Sequence, residues 1–196
     1  MTLDPLTGQI RDNIEQGIQK YIIEEAQEMI RQLEPSELPL AAEVIRASFL
    51  TVANDLGLTV ENCPKYVGFV TTAERLQTQL DWGWWIYGLF EDEQLIGYVS
   101  ISKVSVDGDA VTDDEAYEIH NLAVLPERRH KGYGKQLLDF CLAKIRESGG
   151  NKINISIVEE NALLKNWYAA YGFAHTGTKK YEHLPFTSGY MELARY

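Results

Sequence analysis

The amino-acid sequence predicts an α/β domain of the α+β type: a mixed, mostly antiparallel central sheet flanked by helices on both faces. Three observations carry that prediction. Two strand-like runs, 84–91 and 94–106, flank the turn Asp92-Glu93 and read as an antiparallel hairpin. A further strand, 116–124, runs through a basic, glycine-bearing turn straight into the helical set Leu137, Leu138, Cys141, Leu142 and Ile145, which Gly149-Gly150 stops. The remaining chain reads as a strand over 152–158, a helix over 161–171, and a closing hairpin of 174–181 with 188–195.

Before these elements, Ile10, Ile14, Ile18, Tyr21 and Ile22 keep a helical period, so a helix is expected over 12–26. It either packs on its own domain, the favoured reading, or covers a partner subunit in a homodimer. Residues 29–33 fit a first strand. Ser36 then caps a helix carrying Leu40, Val44, Ile45, Phe49 and Val52, and Thr71 or Thr72 starts another through Ala73, Leu76 and Leu80. Trp82, Trp84 and Trp85 fit sheet core better than an aromatic cage. With no repeat, low-complexity tract or long linker, the simplest partition is an amino-terminal helical extension over 1–28 and one domain over 29–196.

Composition narrows the function. The chain has 196 residues, 45% hydrophobic and 24% charged, which suits one domain with a full core. Its net charge of −11 repels a nucleic acid backbone, so no nucleic acid partner is expected. The longest uncharged apolar runs, 82–90 and 94–102, fall far short of the roughly 20 residues a bilayer requires, so no membrane partner is expected. No basic-then-apolar leader opens the chain, and the cytoplasm is the default location. Cys63 and Cys141 are too few for a disulfide scaffold and lack zinc-ligand spacing; no metal is expected. Asp107, Asp109, Asp113, Asp114, Glu115, Glu118 and Glu127 lie in a stretch without Lys or Arg. This stretch is a solvated acidic loop or, if it borders the cleft, an edge that steers cationic amines.

The stretch Leu122-Ala123-Val124-Leu125-Pro126-Glu127-Arg128-Arg129-His130-Lys131-Gly132-Tyr133-Gly134-Lys135 builds an anion cradle. The first N–H groups of a helix lack intrahelical partners and sit at the positive end of its dipole, where a phosphate binds. Gly132 and Gly134 clear the approach, and the neighbouring cations add charge. A Walker-type loop would need glycine at Arg129 and a hydroxyl at Gln136, and a dinucleotide fingerprint would need glycine at Leu137. The remaining pattern, Arg129-x-x-Gly132-x-Gly134 after a strand ending Leu-Ala-Val, resembles the coenzyme A signature of the GNAT superfamily of N-acetyltransferases. Asn161, Leu164, Trp167, Tyr168, Gly172 and Phe173 fall at the spacing of that superfamily's next motif. The resemblance covers roughly 29–196.

The resemblance implies a splayed strand pair, 118–124 against 152–158, with the pantetheine arm of acetyl-CoA in the gap. Main-chain groups of Leu122, Ala123 and Val124 would bind the arm, and Arg129, His130, Lys131, Gly132, Tyr133, Gly134 and Lys135 would hold the diphosphate. Asn161 would bind pantetheine amides, with a helix cap as its competing role. The acetyl group would pass to a primary amine, on a small molecule or a peptide. An alkylamine with a reference pKa near 10.4 is mostly protonated at neutral pH, so a base must act: Glu118, His120 on the same strand face, or ordered water. Tyr168 would give a proton to the leaving thiolate. Neither cysteine suits a covalent intermediate, so direct attack in a ternary complex is expected. Acceptor choice would lie with loops 53–70 and 182–188, which carry Tyr66, Phe69, His183 and Phe186. A non-catalytic acetyl-CoA or CoA sensor or adaptor is the alternative.

Overall fold

The computed structural model describes residues 29–104 and 116–194. The expected extension over 1–28 with its helix, and the acids from Asp107 to Glu115, lie outside them. Seven strands form one sheet in the order β1-β2-β3-β4-β5-β7-β6. They are β1 (Ile30–Gln32), β2 (Trp85–Glu91), β3 (Gln94–Lys103), β4 (Ala116–Val124), β5 (Lys152–Val158), β6 (Ala174–Lys180) and β7 (Thr187–Ala194). The described helices are α1 (Leu38–Asp55), α2 (Val67–Val70), α3 (Ala73–Asp81), α4 (Tyr133–Glu147) and α5 (Ala162–Ala170).

The expected mixed, mostly antiparallel sheet is present, with β4 and β5 its parallel pair. Their register covers Ala116↔Lys152, Tyr117↔Ile153 and Glu118↔Asn154, after which the strands part. The β2–β3 hairpin turns on Asp92 and Glu93, both left-handed at φ 48° and 63°, a backbone twist that matches the flanking strands.

Helices cover both faces. On one, Leu137, Leu138, Cys141 and Ile145 of α4 pack with Tyr117, Ile119, Ile153 and Ile155 of the strands and with Tyr168 of α5. On the other, Leu38, Ala41, Ala42, Val44 and Ile45 of α1 and Leu76 of α3 meet Ile86, Leu95 and Tyr98. β3 is therefore buried on both sides, which explains its nearly unbroken apolar run. A third cluster joins Ala53, Leu58, Cys63 and Tyr66 to Leu184 and Phe186, tying the loop after α1 to the β6–β7 hairpin. No described helix is long and apolar enough to cross a membrane.

Two local expectations change and one open alternative is settled. Ser36 does not cap α1: it lies in a 3-10 turn, Pro35–Glu37, where Glu37 accepts from the Glu34 N–H at 2.9 Å. Thr72 is the cap of α3, accepting from the Arg75 N–H at 3.4 Å. Of Trp82, Trp84 and Trp85 only Trp85 packs on the core; Trp82 is 70% exposed, because it ends α3 just before left-handed Gly83.

Ile145, fully buried, should mark the α4 contact with the sheet. Ile145→Ala is expected to cost about 2–5 kcal/mol by denaturant unfolding; a loss under about 1 kcal/mol would contradict this packing.

Candidate active site

The site begins where β4 leaves β5. A bulge at Asn121, φ 51°, shifts the β3–β4 register between Tyr98↔Ala123 and Ser100↔His120. Beyond it β4 is fixed from the side away from β5. The Val124 carbonyl accepts from Ser48 Oγ at 2.9 Å and from Arg129 Nε at 3.3 Å. The other Arg129 nitrogens donate to Thr51 Oγ1 at 2.9 Å and to the Ser48 carbonyl at 2.8 Å. One guanidinium thus ties the turn, the strand end and α1 together, using the planar donor fork that lysine lacks. β5, in contrast, pairs along its whole length with β7. Ala123 lies opposite Tyr98 in β3, and the Leu122 side chain packs against the core on the α4 face.

The turn after β4 opens α4 with Gly132 as its cap, at φ 86°. His130 is also left-handed, at φ 62°. Intrahelical donation starts with Gln136 N–H to the Gly132 carbonyl at 3.0 Å, so the N–H groups of Tyr133, Gly134 and Lys135 come before it. A methyl group added at Gly132 would meet open space, and one at Gly134 would reach only the Trp167 ring at 4.0 Å. Several side chains of the basic cluster are engaged elsewhere. Arg128 pairs with Glu91, which the Tyr133 hydroxyl also bonds; these two donors hold the Glu91 carboxyl below its ordinary range. Lys135 pairs with Asp139 at 2.6 Å. His130 and Lys131 stand exposed at the lip.

On the opposite sheet face, Glu118 and His120 are adjacent, with Glu118 Oε1 3.8 Å from His120 Nδ1. Glu118 is the last residue of β4 in register with β5. His120 is sandwiched by the strand and Trp84, whose ring stacks on it at 4.3 Å and 16°. Its Nε2 is 2.9 Å from Ser102 Oγ. Burial lowers the His120 pKa to about 4 and raises that of Glu118, so the imidazole is neutral at pH 7 and the carboxyl a stronger base than in water. Ser102 is not singled out from the sequence, and Trp84 reads there as sheet core rather than as a partner of His120. For Ser102 a signal existed: Ser100 and Ser102 alternate in an otherwise apolar strand on the His120 side.

Tyr168 is buried between Trp167 and Phe173, at ring separations of 4.8 and 5.4 Å, and burial raises its phenol pKa. Asn161 caps α5, its Oδ1 accepting from the Leu164 N–H at 3.1 Å. Cys63 and Cys141 are free and buried, and burial pushes both thiols up, away from the reactive thiolate. The loops 53–70 and 182–188 meet: Tyr66 contacts Phe69 at 5.6 Å and Phe186 at 6.4 Å, both edge to face, while His183 lies beside Tyr181. A cavity of about 210 Å³ opens beside Asn121, walled by α2, α3 and the turn between them.

Residues 57–173 match the sequence model of the acetyltransferase (GNAT) family. An uncharacterized N-acetyltransferase from the pepI 3′ region of Lactobacillus delbrueckii subsp. lactis is 27% identical over 146 residues, 73% of this chain and 82% of that protein. The PaiA N-acetyltransferase of Thermoplasma acidophilum, solved in complex with coenzyme A, superposes with a TM-score of 0.67 at 21% identity, covering 85% of this chain and 98% of that one. YncA of Salmonella typhimurium, solved with its cofactor acetyl-CoA, gives 0.59 at 18% identity, covering 84% and 92%. The two structural likenesses bear on the fold.

Two outcomes check this geometry. The His120 ring, followed by NMR, should stay neutral from pH 8 down to about 5; titration near 6.5 would contradict its burial. Because unfolded His120 takes up a proton more readily, its contribution to stability should be lost as pH falls from about 6.5 through about 4. Arg129→Lys should cost about 1–3 kcal/mol in unfolding experiments by leaving buried acceptors unpaired, and no loss would remove the clamp.

Proposed function

We propose, from the premise that this chain belongs to the GNAT acetyltransferase family, that it transfers the acetyl group of acetyl-CoA to a primary amine by direct attack in a ternary complex. The observation that carries the reading is the parting of β4 from β5 beyond Glu118 and Asn154, beside a helix terminus whose first N–H groups are free. An extended amide-bearing arm fits such a gap as an added strand, with its diphosphate at the helix end.

In this reading the N–H groups of Tyr133, Gly134 and Lys135 hold the diphosphate. Exposed Lys131 adds charge, exposed His130 lies beside it, and Gly132 permits the left-handed turn. Arg129 acts from behind, keeping the turn in place. Main-chain groups of Leu122, Ala123 and Val124 along β4 and the Asn161 side chain meet the pantetheine. Glu118 takes the ammonium proton, directly or through neutral His120 or water, and the freed amine nitrogen attacks the thioester carbonyl. A C–N bond forms, the C–S bond breaks, the Tyr168 phenol protonates the departing sulfur, and the second proton shed by the new amide nitrogen returns through water to the tyrosinate. Burial keeps the phenol protonated until that moment. The two buried, unactivated thiols support direct attack over an acetyl-cysteine route.

Tyr168→Phe should lower kcat by about 10²-fold with the dissociation constant for CoA within about twofold, measured by thiol release and calorimetry. Unchanged turnover would take Tyr168 out of the mechanism. CoA binding without thiol release from any amine tested would favour a sensor.

A further inference from the structure

We propose that the cavity beside Asn121 selects a small amine that also carries an anionic group, carboxylate or phosphate. The inference rests on the acetyl-transfer reading and names the acceptor class for that site. The cavity, about 210 Å³, is lined by Lys65, Thr71, Arg75, Gln79 and Asn121 with the apolar Val67, Val70 and Leu76. In a chain of net charge −11, this wall holds two cations and no carboxylate. Among the described residues neither Lys65 nor Arg75 is held in an ion pair. Such a wall attracts an anion and repels a polycation.

The wall is held before any ligand arrives. Arg46 donates to the Thr71 carbonyl at 2.7 Å, Thr71 Oγ1 donates to the Val67 carbonyl at 2.7 Å, and Leu76 is anchored in the core. Thr72 caps α3, fixing the helix that carries Arg75 and Gln79. Gln79 Oε1 is shielded and has no hydrogen-bond partner. A modest turn of its amide toward the cavity would let it accept from an amine N–H, satisfying an acceptor that burial otherwise leaves unpaired. The cavity borders β4 directly: Asn121 follows His120, and Trp84, whose ring stacks on His120, donates its main-chain N–H to the Gln79 carbonyl at 3.0 Å. An amine whose anion rests on Lys65 and Arg75 therefore has its nitrogen led toward Glu118 and His120, and the cations act as specificity residues.

Thiol release from acetyl-CoA, measured on the full chain, tests this with matched primary amines: L-amino acids against their carboxamides, and phosphoethanolamine against ethanolamine. Spermidine and a short peptide with a free amino terminus complete the panel. Better turnover of the acids identifies the carboxylate as the group read, and better turnover of phosphoethanolamine the phosphate. The anionic member of at least one pair should exceed its neutral partner at least tenfold in kcat/KM. Arg75→Gln and Lys65→Gln should each reduce that ratio toward one through KM, Arg75→Lys should retain part of it, and an unchanged CoA affinity shows that each variant is folded. Preference for spermidine, the peptide or the neutral amines, or a ratio untouched by both substitutions, overturns the acceptor class and leaves acetyl transfer standing. A chain that binds CoA but acetylates nothing overturns the transfer reading. The cavity is then judged by direct titration of the same amines: shifts of the Asn121 and Gln79 resonances with the anionic members alone support it, and their absence overturns it.

Discussion

A sheet strand carries hydrogen-bonding groups on both edges, and each must find a partner. β4 meets that demand toward β3 on both sides of the Asn121 bulge, but toward β5 only up to Glu118 and Asn154. The rest of this protein follows from how the remainder of the β4 edge is managed. β5 is held away by its full antiparallel pairing with β7, and β4 is held back by the Arg129 and Ser48 bonds at Val124. The sheet is two stable halves sharing a short seam, and the opening between them costs little because each half is anchored elsewhere.

The same economy governs charge. Arg128 and Arg129, the two arginines nearest the helix terminus, are spent on Glu91 and on the α1 clamp. In the proposed reading, recognition of a diphosphate then falls mainly to backbone N–H groups, with exposed lysine as a supplement, and backbone donors need no reorganisation when the anion arrives. Lys65 and Arg75 at the cavity beside Asn121, in contrast, remain available. In the proposed reading, the start of α4 offers aligned backbone dipoles to acetyl-CoA, while the cavity beside Asn121 offers formal charge to the acceptor.

Most of the fold was legible because local patterns determine it. The limits of β4 and β5 follow directly from alternation, and Gly132 and Gly149 mark the ends of α4 through their left-handed backbone. What the chain does not show locally are the long-range ties. Nothing around Arg129 indicates that it reaches Ser48 and Thr51, so the motif suggests a ligand contact where the structure has a brace. The Asn121 bulge is equally silent, since apolar residues continue on both sides of it. Trp84 looks like core until Gly83 turns the chain and lays its ring on His120. The family resemblance supplied the splay, which neither hydrophobic period nor propensity encodes.

The central claim is that the amides opening α4 bind the diphosphate of the donor while β4 holds its arm. Backbone amide resonances followed during titration with acetyl-CoA test it most directly. Saturable shifts concentrated at residues 130–136 and along 121–124 are the predicted result. Saturable binding that moves other amides and leaves both segments unperturbed would contradict it.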